Sequence, residues 1–445
     1  MKLPVPAPQV KDLLDQGRVS FSDLFTHGIG AEVDGVYEHW DHLRHLPPPA
    51  GLTSEKWWAA LKFARAALAR GLPLQDKTGD AFKVSTTSTM LRKLHFLDRE
   101  AAGLILGADQ DDDASIRRRH LVRSLIEEAM TSSQLEGAST TRRVAKEMLS
   151  TGRAPRDRSE QMIFNNYSTM RSLGELRDRP LTPEMILEIH RRLMVDAIED
   201  PSEAGRFRNQ DDNIIVQDRG DPTIVLHVPP PASQLAERMQ SLCDFANERN
   251  EDEFLHPIIR AIAIHFQIGY DHPFCDGNGR TARALFYWSM LRSGYWLSEY
   301  FSISSILKKA QRAYITAYLY SESDGADMSY FLSHQLDVIV AAVESLRGYL
   351  ARKGRERRQA EALLRPTSRQ GAALNHRQRA VLLDAVRKPG SDFTIAGHQT
   401  AQQVTYATAR ADLLALASLG LMEKRKEGKA FVFRPAPDLA QRLER

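Results

Sequence analysis

Residues 272–283 read His-Pro-Phe-Cys-Asp-Gly-Asn-Gly-Arg-Thr-Ala-Arg. The stretch holds a histidine, a carboxylate four residues on at Asp276, a Gly277-Asn278-Gly279 run, and two arginines three apart, Arg280 and Arg283. With so little side-chain bulk, successive backbone N–H groups can point into one concavity and hold an anion. The apolar run Ala284-Leu285-Phe286-Tyr287-Trp288 follows, so the turn is expected to open a helix whose positive N-terminal end faces the same anion. Arg280 and Arg283 then share a face of the first turn, and their long side chains lean back toward that end. Two guanidiniums beside a main-chain nest suit a polyphosphate, and Asp276 suits the divalent metal such a ligand carries. The bland alternative is a glycine-rich turn capping a core helix, with His272 a satisfied loop residue and the arginines solvated.

Upstream, residues 115–137 are expected to form one helix, with Leu121, Leu125, Ala129 and Leu135 at helical spacing and Gly137 at the left-handed stop. Ser132 and Glu136 lie i, i+4 on one face near that stop. A glutamate there faces the negative end of the helix dipole, where local electrostatics disfavours it. Broken local rules often mark functional positions.

The 272–283 stretch resembles the Fic family of nucleotidyl transferases, whose motif is His-x-Phe-x-(Asp/Glu)-Gly-Asn-Gly-Arg-x-x-Arg. All eight specified positions are met, by His272, Phe274, Asp276, Gly277, Asn278, Gly279, Arg280 and Arg283. Ser132 to Gly137 fits the family's inhibitory motif (Ser/Thr)-x-x-x-Glu-(Gly/Asn), which implies that Glu136 pairs with Arg283 and keeps a triphosphate from its productive pose. The resemblance implies a mainly α fold, a helical bundle with a small β-hairpin flap. It implies His272 as general base, Asp276 holding Mg²⁺, and Gly277, Asn278, Gly279, Arg280 and Arg283 binding the phosphates of ATP. Tyr314 sits where the family often places a tyrosine near the base, although Ile315 departs from a common Tyr-Tyr pair and Ala282 replaces a frequent glycine. Asp271 stands where many members carry an apolar residue; it either orients the imidazole or is solvated.

Two β-branched runs, Asn213 to Val216 and Thr223 to Val228, flank Gln217 to Pro222 and are expected to pair as a hairpin. In the family such a flap lies beside the active site and holds the target segment by strand addition; the alternative is an ordinary surface hairpin. His265, on the apolar segment before the motif, is expected to be a hydrogen-bonded core residue, and Cys275 has no ligand cluster around it in sequence. Nearer the N-terminus, Thr53 or Ser54 is expected to cap a helix carrying Trp57, Trp58, Leu61, Ala64 and Leu68, and residues 76–87 a hairpin around Thr78-Gly79.

The chain has 445 residues, enough for about three domains. We read them as an N-terminal helical extension (1–100), a core (101–346), a basic helical linker (347–370) and a C-terminal domain (371–445). Residues 351–445 hold 19 Lys/Arg against 9 Asp/Glu, net +10, and the remainder 41 against 48, net −7. A basic end suggests a polyanion partner. The order helix, short helix, helix from about Thr405 to Ser418, then a hairpin at Glu427-Gly428 looks like a winged helix-turn-helix. With DNA as partner, Thr405, Tyr406, Thr408 and Arg410 would face it and Lys424, Arg425, Lys426 and Lys429 would meet phosphate; the alternative is a protein-interaction module. Two cysteines, Cys243 and Cys275, give no disulfide framework; with no leader or membrane-length apolar run, the cytoplasm is the expected compartment.

The leading expectation is a protein adenylyltransferase acting on a Ser, Thr or Tyr hydroxyl of another protein or of itself, with a homodimer among its candidate assemblies. The rivals are a DNA-binding regulator that uses the core as a nucleotide sensor, and an enzyme that removes AMP or uses another nucleotide.

Overall fold

The structure, a computed structural model, describes residues 2–25, 28–102, 114–248, 253–364, 374–387, 390–427 and 430–444. They fall into a larger unit within residues 1–106 and 122–343 and a smaller one within 107–121 and 344–445.

The larger unit is mainly helical. Its axis is Pro257–Asp271, opened by Pro257 at the first position where no N–H is missed, and buried along almost its whole length. That explains why its sequence is apolar all round: it has no solvent face. The motif helix Asn278–Arg292 packs directly on it and is equally buried. Arg158–Leu176, capped by Asp157, and Pro183–Met194, capped by Thr182, lie against the motif helix. His265 is buried and hydrogen-bonded to the Tyr314 hydroxyl at 2.8 Å, as expected of a core histidine.

Thr53 caps Ser54–Ala66, where Trp57, Trp58 and Leu61 are buried. Leu68 does not share their face: it is 44% exposed and lies beyond the helix. The chain switches there to a strand, Ala69–Gln75, which pairs with Ala81–Ser85 through the turn at Gly79. The hairpin thus begins seven residues before the expected Asp76. The flap differs too: its strands are Val216–Asp218 and Asp221–His227, leaving Arg219-Gly220 as the turn. The Asp218 carboxylate accepts the Gly220 N–H at 2.8 Å, a local bond that shortens the loop.

The basic segment after residue 347 continues a helix, Ser329–Leu363. In the smaller unit, His376–Arg387 is followed by Phe393–Thr394, Ile395–Gln402, Tyr406–Ser418 and the hairpin Met422–Glu427 with Ala430–Pro435, whose second strand lies in the middle of a three-stranded sheet. Ala409, Leu413 and Leu416 point inward with Leu382 and Phe433. A last helix, Leu439–Glu444, adds Leu439 and Leu443 to that core and was not anticipated. Lys429 and Gly428 lie outside the described residues. Among the described residues no helix is long and apolar enough to cross a membrane.

Candidate active site

The availability of His272 follows from how its helix ends. His272 caps Pro257–Asp271 at φ 45°, in the left-handed region that non-glycine residues rarely adopt. Arg208 holds the backbone there: its Nε donates to the His272 carbonyl at 2.8 Å and its Nη2 to the Asp271 carbonyl at 3.2 Å. The imidazole Nδ1 lies 3.0 Å from the Gly269 carbonyl. A carbonyl only accepts, so Nδ1 carries the proton and Nε2 keeps its lone pair. Burial pushes the His272 pKa down to about 4, so the ring is neutral near pH 7.

The turn that follows is built rigidly. Phe274 is buried and stacked on His190, ring centroids 3.7 Å apart. His190 Nδ1 accepts the Gly205 N–H at 2.9 Å, which leaves Nε2 to donate to the Asp276 carbonyl at 2.9 Å. The Asn278 side chain closes the loop on itself, accepting from the Phe274 N–H at 3.0 Å and donating to the Phe274 carbonyl at 2.8 Å. Its amide is therefore spent on the fold, and only its main chain is left for a ligand. Gly277 sits at φ 81°, and a Cβ there would lie 2.5 Å from the Met194 sulfur. Its N–H bonds Asp276 Oδ1. The first bond back into the motif helix is Thr281 N–H to the Gly277 carbonyl, 2.9 Å, so the preceding amides stand at the positive helix end.

Arg283 is buried and meets the end of the upstream helix Ala114–Leu135, and the residue after it, at three points. It donates to Ser132 Oγ at 2.8 Å, to the Ser132 carbonyl at 3.0 Å and to Glu136 Oε1 at 2.7 Å. The Glu136 carboxylate lies over Gly279 so closely that a methyl group there would overlap Oε1. Burial raises the Glu136 pKa, but Arg283, then Arg280 and Arg219, outweigh it and hold the group below its ordinary value. A carboxylate thus sits as an anion on the cationic turn. Arg280 is 1% exposed, donates to Asp276 Oδ1 at 3.3 Å, and has Nε and Nη1 without a partner among the described residues. Buried donors left unmet are costly, and an absent anion is the natural explanation.

His272, Gly279, Arg283, Tyr314 and Glu136 line one cavity of about 600 Å³, together with the flap from Val216 to Asp221. Asp276, Gly277, Asn278, Arg280 and Ser132 continue the same constellation but are not on the cavity wall. Tyr314 lies near Arg283, its hydroxyl turned to His265. Asp276 is partly exposed, with its second oxygen 3.4 Å from Arg158.

Asp271 follows neither expectation: it is fully buried and pairs with Arg238 at 2.7 Å and Gln267 at 3.0 Å. Glu203 and Asp212 bring ligand atoms within 4.8 Å of Cys275 and each other, a grouping not visible in sequence. Arg206 pairs with both carboxylates, and burial pushes the Cys275 thiol up to about 12, so the group is an ion pair rather than a thiolate site. Sequence reasoning missed Arg208, His190, Arg158 and Arg219. None of them belongs to a local pattern, because Arg208, His190 and Arg158 reach the turn, and Arg219 reaches Glu136, from distant segments.

Residues 180–290 match the model of the Fic/DOC family. This segment is similar to Fic domains. The chain is 38% identical over 119 residues to the protein adenylyltransferase Fic of Nematostella vectensis, a match spanning 27% of this chain and 25% of that protein. It is 37% identical over 115 residues to the protein of the same name from Drosophila willistoni, spanning 26% of this chain and 20% of that one. The chain therefore covers about a quarter or less of these curated relatives. A crystal structure of a Fic family protein from Desulfovibrio desulfuricans G20 aligns with a TM-score of 0.50 at 18% identity, over 78% of this chain and 95% of that one, a likeness of fold. The flap, His272 and both motif arginines lie inside the matched segment, whereas Ser132 and Glu136 reach it from upstream.

Proposed function

We propose that the chain transfers AMP from ATP to a Ser, Thr or Tyr hydroxyl of a protein. What supports this most is the cationic turn: Arg280 is buried with two nitrogens unmet among the described residues, and Gly279 and Arg283 beside it share a cavity with the neutral His272. In the reaction, Nε2 takes the proton of the acceptor hydroxyl while its oxygen forms a bond to the α-phosphorus and the bond to pyrophosphate breaks. The amides at the start of the motif helix stabilise charge on the α-phosphate, and Arg280 and Arg283 hold the outer phosphates. Asp276, partly exposed at the edge of the turn, is suited to hold a Mg²⁺ that would neutralise phosphate charge. Tyr314, which lines the cavity, would meet the base. Glu136 occupies the place of a phosphate oxygen on Arg283 and damps the reaction. Acceptors include other proteins or a second copy of this chain, and the setting is the cytoplasm.

The test is incubation of the full chain with α-labelled ATP and cell lysate. Glu136→Gly is expected to raise incorporation at least tenfold, and His272→Ala to abolish it. Absence of label even with Glu136→Gly would refute the reading, and UTP, GTP and CTP tested alongside, with a pre-modified acceptor, separate it from another donor or from AMP removal.

A second reading concerns residues 371–445 as a winged helix-turn-helix binding DNA. Tyr406 and Arg410 are exposed early on Tyr406–Ser418, and Lys424 and Lys426 on the hairpin. Arg425 is less free, paired with Glu423 at 3.0 Å, and the Thr408 hydroxyl is 2.9 Å from that of Thr405. Binding to duplex DNA should weaken with salt, the log–log slope falling by about 0.9 for each phosphate contact removed with Lys426→Ala or Arg410→Ala. A flat salt response would discard this reading.

A further inference from the structure

We propose that Arg219, at the tip of the flap, is a positioning residue that latches Glu136 in its blocking pose and so couples the flap to the upstream helix. The proposal rests on the reading of Glu136 as a damping residue and adds to it a second element.

The Glu136 carboxylate is held at both oxygens. Oε1 goes to Arg283 of the motif helix at 2.7 Å, and Oε2 lies 3.4 Å from Arg219 Nη2. Arg219 Nη1 also donates to the Leu135 carbonyl. Leu135 is the last residue of Ala114–Leu135, where carbonyls have no intrahelical partner and the dipole is negative. One guanidinium therefore caps the helix that carries Glu136 and also clamps the carboxylate itself. Arg219 can do this because the flap turns in two residues, with Asp218 fixing Gly220. A six-residue loop would leave the position of that side chain undetermined. Leu135, Glu136, Arg219 and Arg283 all line the same cavity.

The consequence is reciprocal. Moving the flap removes one of the two cations holding Glu136, and moving Glu136 frees the flap. Arg283 is buried whereas the Arg219 side chain is 57% exposed, so Arg283 supplies most of the hold and Arg219 an adjustable fraction.

The experiment measures Mg-ATP affinity of the full chain by titration calorimetry for wild type, Arg219→Gln, Glu136→Gly and the double variant. Arg219→Gln is expected to tighten ATP about two- to fivefold, the range of an exposed ion pair. It should have no effect in the Glu136→Gly background. An equal affinity of Arg219→Gln and wild type would overturn the latch. So would weakening in both backgrounds, which would make Arg219 a nucleotide contact instead. Amide exchange provides an independent arm: residues 216–221 should exchange faster in Glu136→Gly than in wild type, and unchanged exchange also overturns the proposal. If no variant binds ATP, the nucleotide reading fails, and the exchange comparison alone still decides whether flap and helix are coupled.

Discussion

At the scale of single residues, the decisive atom is His272 Nε2. The Gly269 carbonyl accepts a hydrogen bond from the protonated Nδ1, and burial lowers the ring's pKa to about 4. On the reading proposed above His272 acts as a base in its unprotonated form, so it would support reaction above its pKa and lose that role as pH falls through that value. AMP transfer by Glu136→Gly should therefore hold steady from about pH 8 to about pH 5 as far as His272 is concerned. A steep decline near 6.5 would mean a solvated ring. Gly277 is the other sharp test. Its φ of 81° and the Met194 sulfur 2.5 Å from where a Cβ would stand make Gly277→Ala both strained and overpacked. Urea unfolding should show a loss of about 1–3 kcal/mol.

At the scale of elements, the turn is held by contacts between segments. Asp271 ends the central helix and is buried against Arg238, which also donates to the Asp76 carbonyl at 3.0 Å. Asp271→Ala would leave Arg238 charged and largely buried without its carboxylate, a loss of about 3–5 kcal/mol in denaturant unfolding. Replacing both partners by apolar residues should cost much less. The helix carrying Glu136 was legible upstream because Leu125, Ala129 and Leu135 repeat at helical spacing and all three are buried. The flap was legible only in outline. Its strands are mostly exposed on both sides, so hydrophobic alternation does not record where they end. Pro222 inside the second strand is tolerated because the flap has only two strands and each is an edge. The missed Ala69–Gln75 strand is a related case: its Leu-Pro-Leu run carries no β-branched residue, and pairing with Ala81–Ser85 overrides the weak propensity.

At the scale of the whole molecule, the larger unit keeps an unusual set of histidines neutral. Burial lowers His39 to about 3 and His190, His272 and His334 to about 4, and puts His265 well below its ordinary value. In the unfolded chain these rings take up protons near 6.5, while in the folded chain they do so only near their lowered values. The unfolded state thus binds more protons in between, and folding stability falls as pH drops from about 6.5 toward 4. Calorimetric melting between pH 7 and 4.5 should show the larger unit's transition moving steadily down. A constant melting temperature over that range would show these rings to be hydrated.

The pairing of Glu136 with Arg283, 147 residues apart, came only from the family resemblance, but the linear chain was sufficient for the glycine-rich turn, the buried central helix and the basic C-terminal segment. Those features are short-range, because helical spacing, glycine's conformational freedom and charge are written locally. Only the tertiary structure decided which side chains surround the turn. Arg208, His190 and Arg219 come from segments tens of residues away in sequence, and their hydrogen bonds exist only once the helices have packed. Asp271 and Asn278 show the same physics from the other side: a polar side chain beside or within the motif can be committed wholly to the fold, because burial obliges it to find a partner.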